Sequence, residues 1–123
     1  MFKKVAFTMY PVTDVTRARK FYEETLGLKA GSAGNHEGGW WIEYDLPAGG
    51  CLAITNFIPD KPSDSAGGTV ALEVEDLDQL MTDLKAKGVT FKSDVIDTPV
   101  CRMAPCLDSE GNSILLHQLK PKK

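Results

Sequence analysis

The feature that most constrains this 123-residue chain is an internal repeat. Val12, Thr13 and Asp14 recur 62 positions later as Val74, Glu75 and Asp76, and GGCLAIT from Gly49 returns as GNSILLH from Gly111 at the same offset. Gly27 and Gly88 stand 61 apart. A repeat of this length is one supersecondary unit, and neither copy alone can bury both faces of a sheet.

Each copy reads as a strand, a helix and then two or three further strands, which makes the chain α+β. Over 14–26 the residues Val15, Ala18, Tyr22 and Leu26 recur at helical spacing, and Phe21 widens the apolar stripe. Thr13 or Asp14 can cap that helix and Gly27 can end it. A second helix shows Leu77, Leu80, Met81 and Leu84 on one face, with Asp76 as cap, Gln79 three residues on and Gly88 as the stop. Strands are predicted at 4–10, 40–46, 51–56, 69–74, 90–93, 102–107 and 113–118. The glycine-rich stretch 31–39 reads as a mobile loop. The stretch 59–68, with its prolines, serines and small residues, reads as the linker of a single domain between a first module at about 1–58 and a second at about 69–120.

Composition narrows the function. Lys plus Arg number 14 against 17 Asp plus Glu, a net charge of -3, which disfavours nucleic acid and anionic membranes as partners. No apolar run approaches the roughly 20 residues that span a bilayer, and the start MFKKVAFTMYPVTD carries too short an apolar segment for a secretory signal. Three cysteines, an odd count, suit reduced thiols, so a cytoplasmic location is expected. Cys101 and Cys106 lack the companion cysteines or histidines of a zinc site. A compact chain of 13.4 kDa is expected to expose ~6,500 Å².

Three segments carry a family resemblance: FTMYPVTDVTRARKFYEETLGL from Phe7 to Leu28, VALEVEDLDQL from Val70 to Leu80, and DSEGNSILLHQ from Asp108 to Gln118. Together they resemble the vicinal oxygen chelate superfamily of glyoxalase I, bleomycin resistance proteins and extradiol dioxygenases, over essentially the whole chain. The resemblance implies two βαβββ modules forming a curled mixed sheet around a concave cavity, completed or flanked by the partner of a homodimer. It also implies where a family metal would be held: at Phe7, Ala53, Thr69 and Leu115. None of these is a usual ligand for a first-row metal, so neither a metal nor another cofactor is expected. The repeat supports that placement, since it pairs Phe7 with Thr69 and Ala53 with Leu115.

Strand alternation extends the concave set to Met9, Cys51, Thr55, Ala71, Glu73, Ser113 and His117, with Trp41 and Glu43 on the strand that follows Gly39. The opposite parity, Trp40, Ile42, Tyr44, Leu52, Ile54, Val70, Leu72, Val74, Ile114 and Leu116, is placed beneath the helices. The facing of Cys101, Arg102 and Cys106 is not fixed by pattern.

Phe7, Met9 and Trp41 suit a stacking wall for a flat ligand, with ordinary core filling as the alternative for Phe7 and Met9. Cys51 reads as a small filler, because no basic residue stands beside it to activate a thiolate. Glu73 and His117 suit proton transfer as a carboxylate and imidazole pair, or a structural hydrogen bond. A displaced metal site from His117, Glu73 and Glu43 is a further alternative.

Two functions follow. One is a metal-independent binding protein resembling the bleomycin resistance proteins, holding an amphipathic or aromatic small molecule against Phe7, Met9, Trp41, Glu43, Cys51, Ala53, Thr55, Thr69, Leu115 and His117. The other is a glyoxalase-like lyase, isomerase or dioxygenase working through His117 and Glu73 or through a displaced metal.

Overall fold

The 62-residue offset reappears in three dimensions as strand register. The computed structural model describes residues 1 and 3–121, apart from the side chain of His36. It contains two βαβββ units, Met1–Pro62 and Ser63–Lys123. The first runs β1 (Thr8–Pro11), α1 (Val15–Arg19, continued by a π-helical turn Lys20–Thr25), β2 (Ala30–His36), β3 (Gly39–Asp45) and β4 (Cys51–Thr55). The second runs β5 (Val70–Glu73), α2 (Leu77–Ala86), β6 (Ile96–Asp97), β7 (Cys101–Leu107) and β8 (Ser113–Leu119). Their strands form two four-stranded mixed sheets, ordered β1-β4-β3-β2 and β5-β8-β7-β6.

Equivalent residues pair throughout. Thr8 opposite Leu52 in the parallel pair of the first sheet recurs as Val70 opposite Ile114 in the second. In the antiparallel pairs, Trp41 opposite Thr55 recurs as Met103 opposite His117, and Asp45 opposite Cys51 as Leu107 opposite Ser113. Even the outer pairs agree, with Gly34 opposite Trp41 matching Ile96 opposite Met103.

The helix caps follow the same rule. Asp14 accepts the backbone N–H of Arg17 at 3.0 Å, and Asp76 that of Gln79 at 3.1 Å, each filling one of the donors a helix start leaves open. Gly27 and Gly88, at φ 75° and 85°, end the helices in the left-handed conformation that glycine adopts without strain. The first helix has one residue more between cap and glycine, and the π-helical turn takes it up: Leu26 N–H donates to Phe21 O, five residues back. That turn buries Phe21 and Tyr22.

Three expectations are corrected. The first strand, expected over 4–10, begins only at Thr8 and runs to Pro11. The stretch 31–39 is no loop, since most of it forms β2 and a hairpin. Its Gly, Ala, Ser and Asn residues show no alternation because β2 is an edge strand, aligned by β3 and by a tight turn at Glu37 and Gly38. Both turn residues have positive φ, 51° and 82°, as a type I′ turn requires. The segment 90–93 makes only an isolated bridge, Phe91 to Cys106, and the strand beside β7 comes later, at β6.

One parity of each sheet faces its helix. Tyr10, Ile42, Tyr44, Leu52 and Ile54 are buried in the first unit, where the Tyr44 ring stacks on Tyr22 at 5.7 Å. In the second unit Ala104, Cys106, Ile114 and Leu116 are buried on the parity whose Arg102 and Gln118 bond to α2. Among the described residues, no helix is long and apolar enough to cross a membrane.

Candidate functional site

Facing is settled by register, so each sheet has a helix-free parity whose chemistry can be read directly. In the first unit that parity carries Met9 and Pro11 on β1, Trp41, Glu43 and Asp45 on β3, and Cys51, Ala53 and Thr55 on β4. Phe7, just before β1, lies edge-on to Trp41, with ring centroids 5.1 Å apart and planes at 85°. The pair is open to solvent on the Phe7 side, which is 44% exposed, and Met9 is 37% exposed. The Trp41 indole N–H donates to Glu43 Oε2 at 2.7 Å, and the Cys51 thiol lies 4.0 Å from Glu43 Oε1. Burial, followed by the charges of Glu43 and Asp45, pushes the Cys51 thiol up and keeps it protonated.

Two of the expected contact residues lie deeper. Ala53 is fully buried, and so is Thr55, whose hydroxyl donates to Trp40 O at 2.8 Å and accepts from Phe57 N–H at 2.9 Å. Asp45 was missed by sequence reasoning, although alternation from Trp41 and Glu43 points to it directly.

On the second unit, the same parity carries Ala71 and Glu73 on β5, Met103 and Pro105 on β7, and Leu115 and His117 on β8, with Thr69 exposed just before β5. His117 Nδ1 meets Glu73 Oε1 at 2.5 Å, and Glu73 Oε2 accepts the Leu119 N–H at 2.8 Å. The His117 bond first, and the Leu119 bond second, hold the Glu73 carboxyl below the usual carboxylate range. Arg102 and Cys106 face the helix. The Arg102 guanidinium forks onto Asp78 at 2.8 and 3.1 Å, so its charge is already engaged. Cys101 has the parity of Met103 but is buried, its thiol 3.2 Å from Thr98 Oγ1.

A separate open groove of about 620 Å³ is lined by Lys85, Val89, Phe91, Lys92, Ser93 and Asp94, and holds none of the candidate residues. Its lysines are occupied: Lys85 lies 5.4 Å above the Phe91 ring and Lys92 reaches Asp64.

A resident metal does not fit these residues. Phe7, Ala53 and Leu115 offer no donor atom and Thr69 only a neutral hydroxyl. Among the described residues, no three His, Cys, Asp or Glu side chains gather closely enough to hold one.

The family model described as the Glyoxalase/Bleomycin resistance protein/Dioxygenase superfamily matches residues 4–116. The chain belongs to that superfamily. Among solved structures of the superfamily fold, it is similar to TnmS3, an antibiotic binding protein from Streptomyces sp. CB03234, at 28% identity and a TM-score of 0.81, covering 97% of this chain and 98% of that one. A glyoxalase/bleomycin resistance protein from the same organism is 29% identical, with a TM-score of 0.76 over 91% and 97% of the two chains. A glyoxylase/bleomycin resistance protein/dioxygenase domain from Frankia sp. EAN1pec has a TM-score of 0.80 over 100% and 96%, and at 18% identity it speaks for the fold alone. None of the curated proteins matches the chain. The superfamily accounts for the paired βαβββ units.

Proposed function

We propose that the chain is a metal-independent small-molecule-binding protein of the glyoxalase and bleomycin resistance type, holding an amphipathic or aromatic ligand on the helix-free face of its first sheet. The observation that carries this reading is the Phe7 and Trp41 edge pair, left open to solvent with the indole N–H fixed on Glu43. Large rings held in place at an exposed site give a ligand apolar area at little cost in side-chain ordering. The likeness to an antibiotic binding protein supports it. Met9, Cys51, Ala53 and Thr55 share the parity of Trp41 on the neighbouring strands, the last two buried.

A homodimer is part of the proposal. Ile96 on β6 and Leu119 on β8 are large apolar side chains left exposed on the second sheet. A second copy seated on them would take that apolar surface out of water.

The test is a thermal-shift and calorimetric screen of aromatic small molecules, alongside Zn, Ni, Mn and Fe salts. Aromatic compounds are expected to raise the melting temperature saturably and the metals are not. Trp41→Ala is expected to abolish the aromatic shifts while Trp40→Phe keeps them. Stoichiometric metal, or binding indifferent to Trp41→Ala, overturns the reading.

The contact between Glu73 and His117 supports a second one, an acid/base enzyme of the lyase or isomerase kind. The carboxylate fixes the imidazole with Nδ1–H toward it, leaving Nε2 as the proton acceptor. Turnover lost in both His117→Gln and Glu73→Gln, with ligand affinity retained, is the result that selects it.

A further inference from the structure

We propose that the helix-free face of the second sheet carries a site for a soft monovalent cation, Cu(I), held between Nε2 of His117 on β8 and the thioether of Met103 on β7. The site belongs to the other unit from the aromatic pair, and it does not depend on the binding reading above.

Covalent geometry aims the imidazole. β8 runs between β5 and β7, and His117 stands opposite Glu73 on one side and Met103 on the other. Nδ1 and Nε2 lie on opposite edges of the ring, so fixing Nδ1 on Glu73 Oε1 at 2.5 Å turns Nε2 toward β7. Directly opposed residues on one face have Cβ atoms ~5 Å apart, within reach of the long, unbranched methionine side chain. Both His117 and Met103 are half-buried.

A carboxylate behind an imidazole is the arrangement that supports a metal-bound histidine, because it fixes the tautomer, orients the ring and raises the basicity of the free nitrogen. Glu73 is itself held in place, since its other oxygen accepts the Leu119 N–H at 2.8 Å.

The donor set selects the ion. A thioether is a soft donor that favours Cu(I), and an imidazole also serves copper. Among the described residues no three His, Cys, Asp or Glu side chains gather, so Zn and the harder dications lack a full set. The absence of shifts expected with Zn, Ni, Mn and Fe therefore stands, and the aromatic ligand needs no metal. Leu115 and Leu119, two residues either side of His117 on β8, and Ile96 opposite Met103 give the pair apolar neighbours. There the Glu73 carboxylate balances a single positive charge, whereas a dication would leave one charge uncompensated.

The repeat provides an internal control. The first unit has Pro11, Trp41 and Thr55 in the register of Glu73, Met103 and His117. The backbone therefore builds this face without carboxylate, thioether or imidazole at these places, and the three together are not a requirement of the fold.

The test is an anaerobic titration of the intact chain with Cu(I) in competition with bicinchoninate, whose coloured complex reports the copper that the protein leaves behind. Thiols are competing soft ligands, so the titration is repeated on Cys51→Ser, which removes the one cysteine that is not buried. One equivalent is expected to be retained in both proteins, and the Met103 methyl resonance is expected to shift as it binds. Met103→Leu and His117→Gln, with folding checked by melting curves, are each expected to weaken retention at least about tenfold. Retention lost in Cys51→Ser, or unmoved by Met103→Leu, overturns the inference, as does no retention by the unaltered chain. Aromatic binding that depends on Trp41 is measured separately on the same proteins, so failure of either reading leaves the other standing.

Discussion

The two units of this chain share one backbone and differ in what they place on it. On β4 and β8, beneath the helices, the equivalent positions stay apolar, Ile54 matching Leu116 and Leu52 matching Ile114, all at 0–1% exposure. On the helix-free faces they diverge. Trp41, Glu43 and Cys51 stand where the second unit has Met103, Pro105 and Ser113, and Thr55 stands where it has His117. On the two central strands, β4 and β8, packing keeps the buried parity apolar and close in volume, whereas β3 and β7 trade Ile42 for Ala104 and Tyr44 for Cys106. Where the other parity reaches solvent it carries no such constraint, so a side chain found there on one sheet and missing from the other is where function is to be sought.

The largest expected effect tests the constant side of that comparison. Ile54→Ala and Leu116→Ala each remove a fully buried side chain from equivalent places, and each is expected to cost about 2–5 kcal/mol by chemical denaturation. A cost below about 1 kcal/mol for one of them would break the equivalence of the two cores.

Next comes the variable side. Trp41→Ala should weaken aromatic-ligand binding by at least about tenfold, since it removes both the ring and the donor that orients Glu43. Met103→Ala, at the equivalent place on β7, should leave binding within about twofold. Matching losses from the two substitutions would show that the faces contribute alike.

A smaller effect is expected with pH. The folded-state carboxyl of Glu73 sits below its ordinary value of 4.5, so its stabilising contribution is fully present above that value and fades as pH falls through the folded-state value. Glu23 in the first unit behaves alike for a different reason, because Arg19 binds it at 2.7 Å and Tyr44 donates to it at 2.9 Å. Melting temperature should therefore fall less steeply between about pH 5 and pH 3 in Glu73→Gln than in the unaltered chain. Identical slopes would mean that the pair with His117 does not stabilise the fold.

Much of this architecture was legible in the sequence, for identifiable reasons. Caps, terminating glycines and alternating strands are local, and Asp14, Asp76, Gly27 and Gly88 act within a few residues of where they are read. The π-helical turn is the structural counterpart of the one-residue drift between the 62 and 61 offsets. β2 was illegible because an edge strand of Ala, Gly, Ser and Asn takes its register from β3 and has no pattern of its own. Of the site, alternation alone brought Trp41 and Glu43 to one face, and Glu73 to His117. It gave no warning that Thr55 spends its hydroxyl on Trp40 and Phe57, since that is a matter of how the chain leaves β4. Nor did it single out Cys51 as lying against carboxylates, which needs the register of β3 on β4.

The smallest effect sharpens the comparison at that thiol. Cys51 is partly exposed, yet burial and the two carboxylates raise its pKa, so its thiolate fraction near pH 8 is low and alkylation by iodoacetamide should be slow. Glu43→Gln and Asp45→Asn remove the second and third causes and leave the first, so each should speed alkylation only a few-fold. Cys106 provides the contrast in the second unit: its thiol is pushed up to about 11, chiefly by burial, and neither substitution should touch its rate. If Cys51 alkylates at the same rate in all three proteins, its environment is set by burial alone. The charges of Glu43 and Asp45 would then leave no mark on the thiol, and the difference between the two faces would reduce to aromatic area.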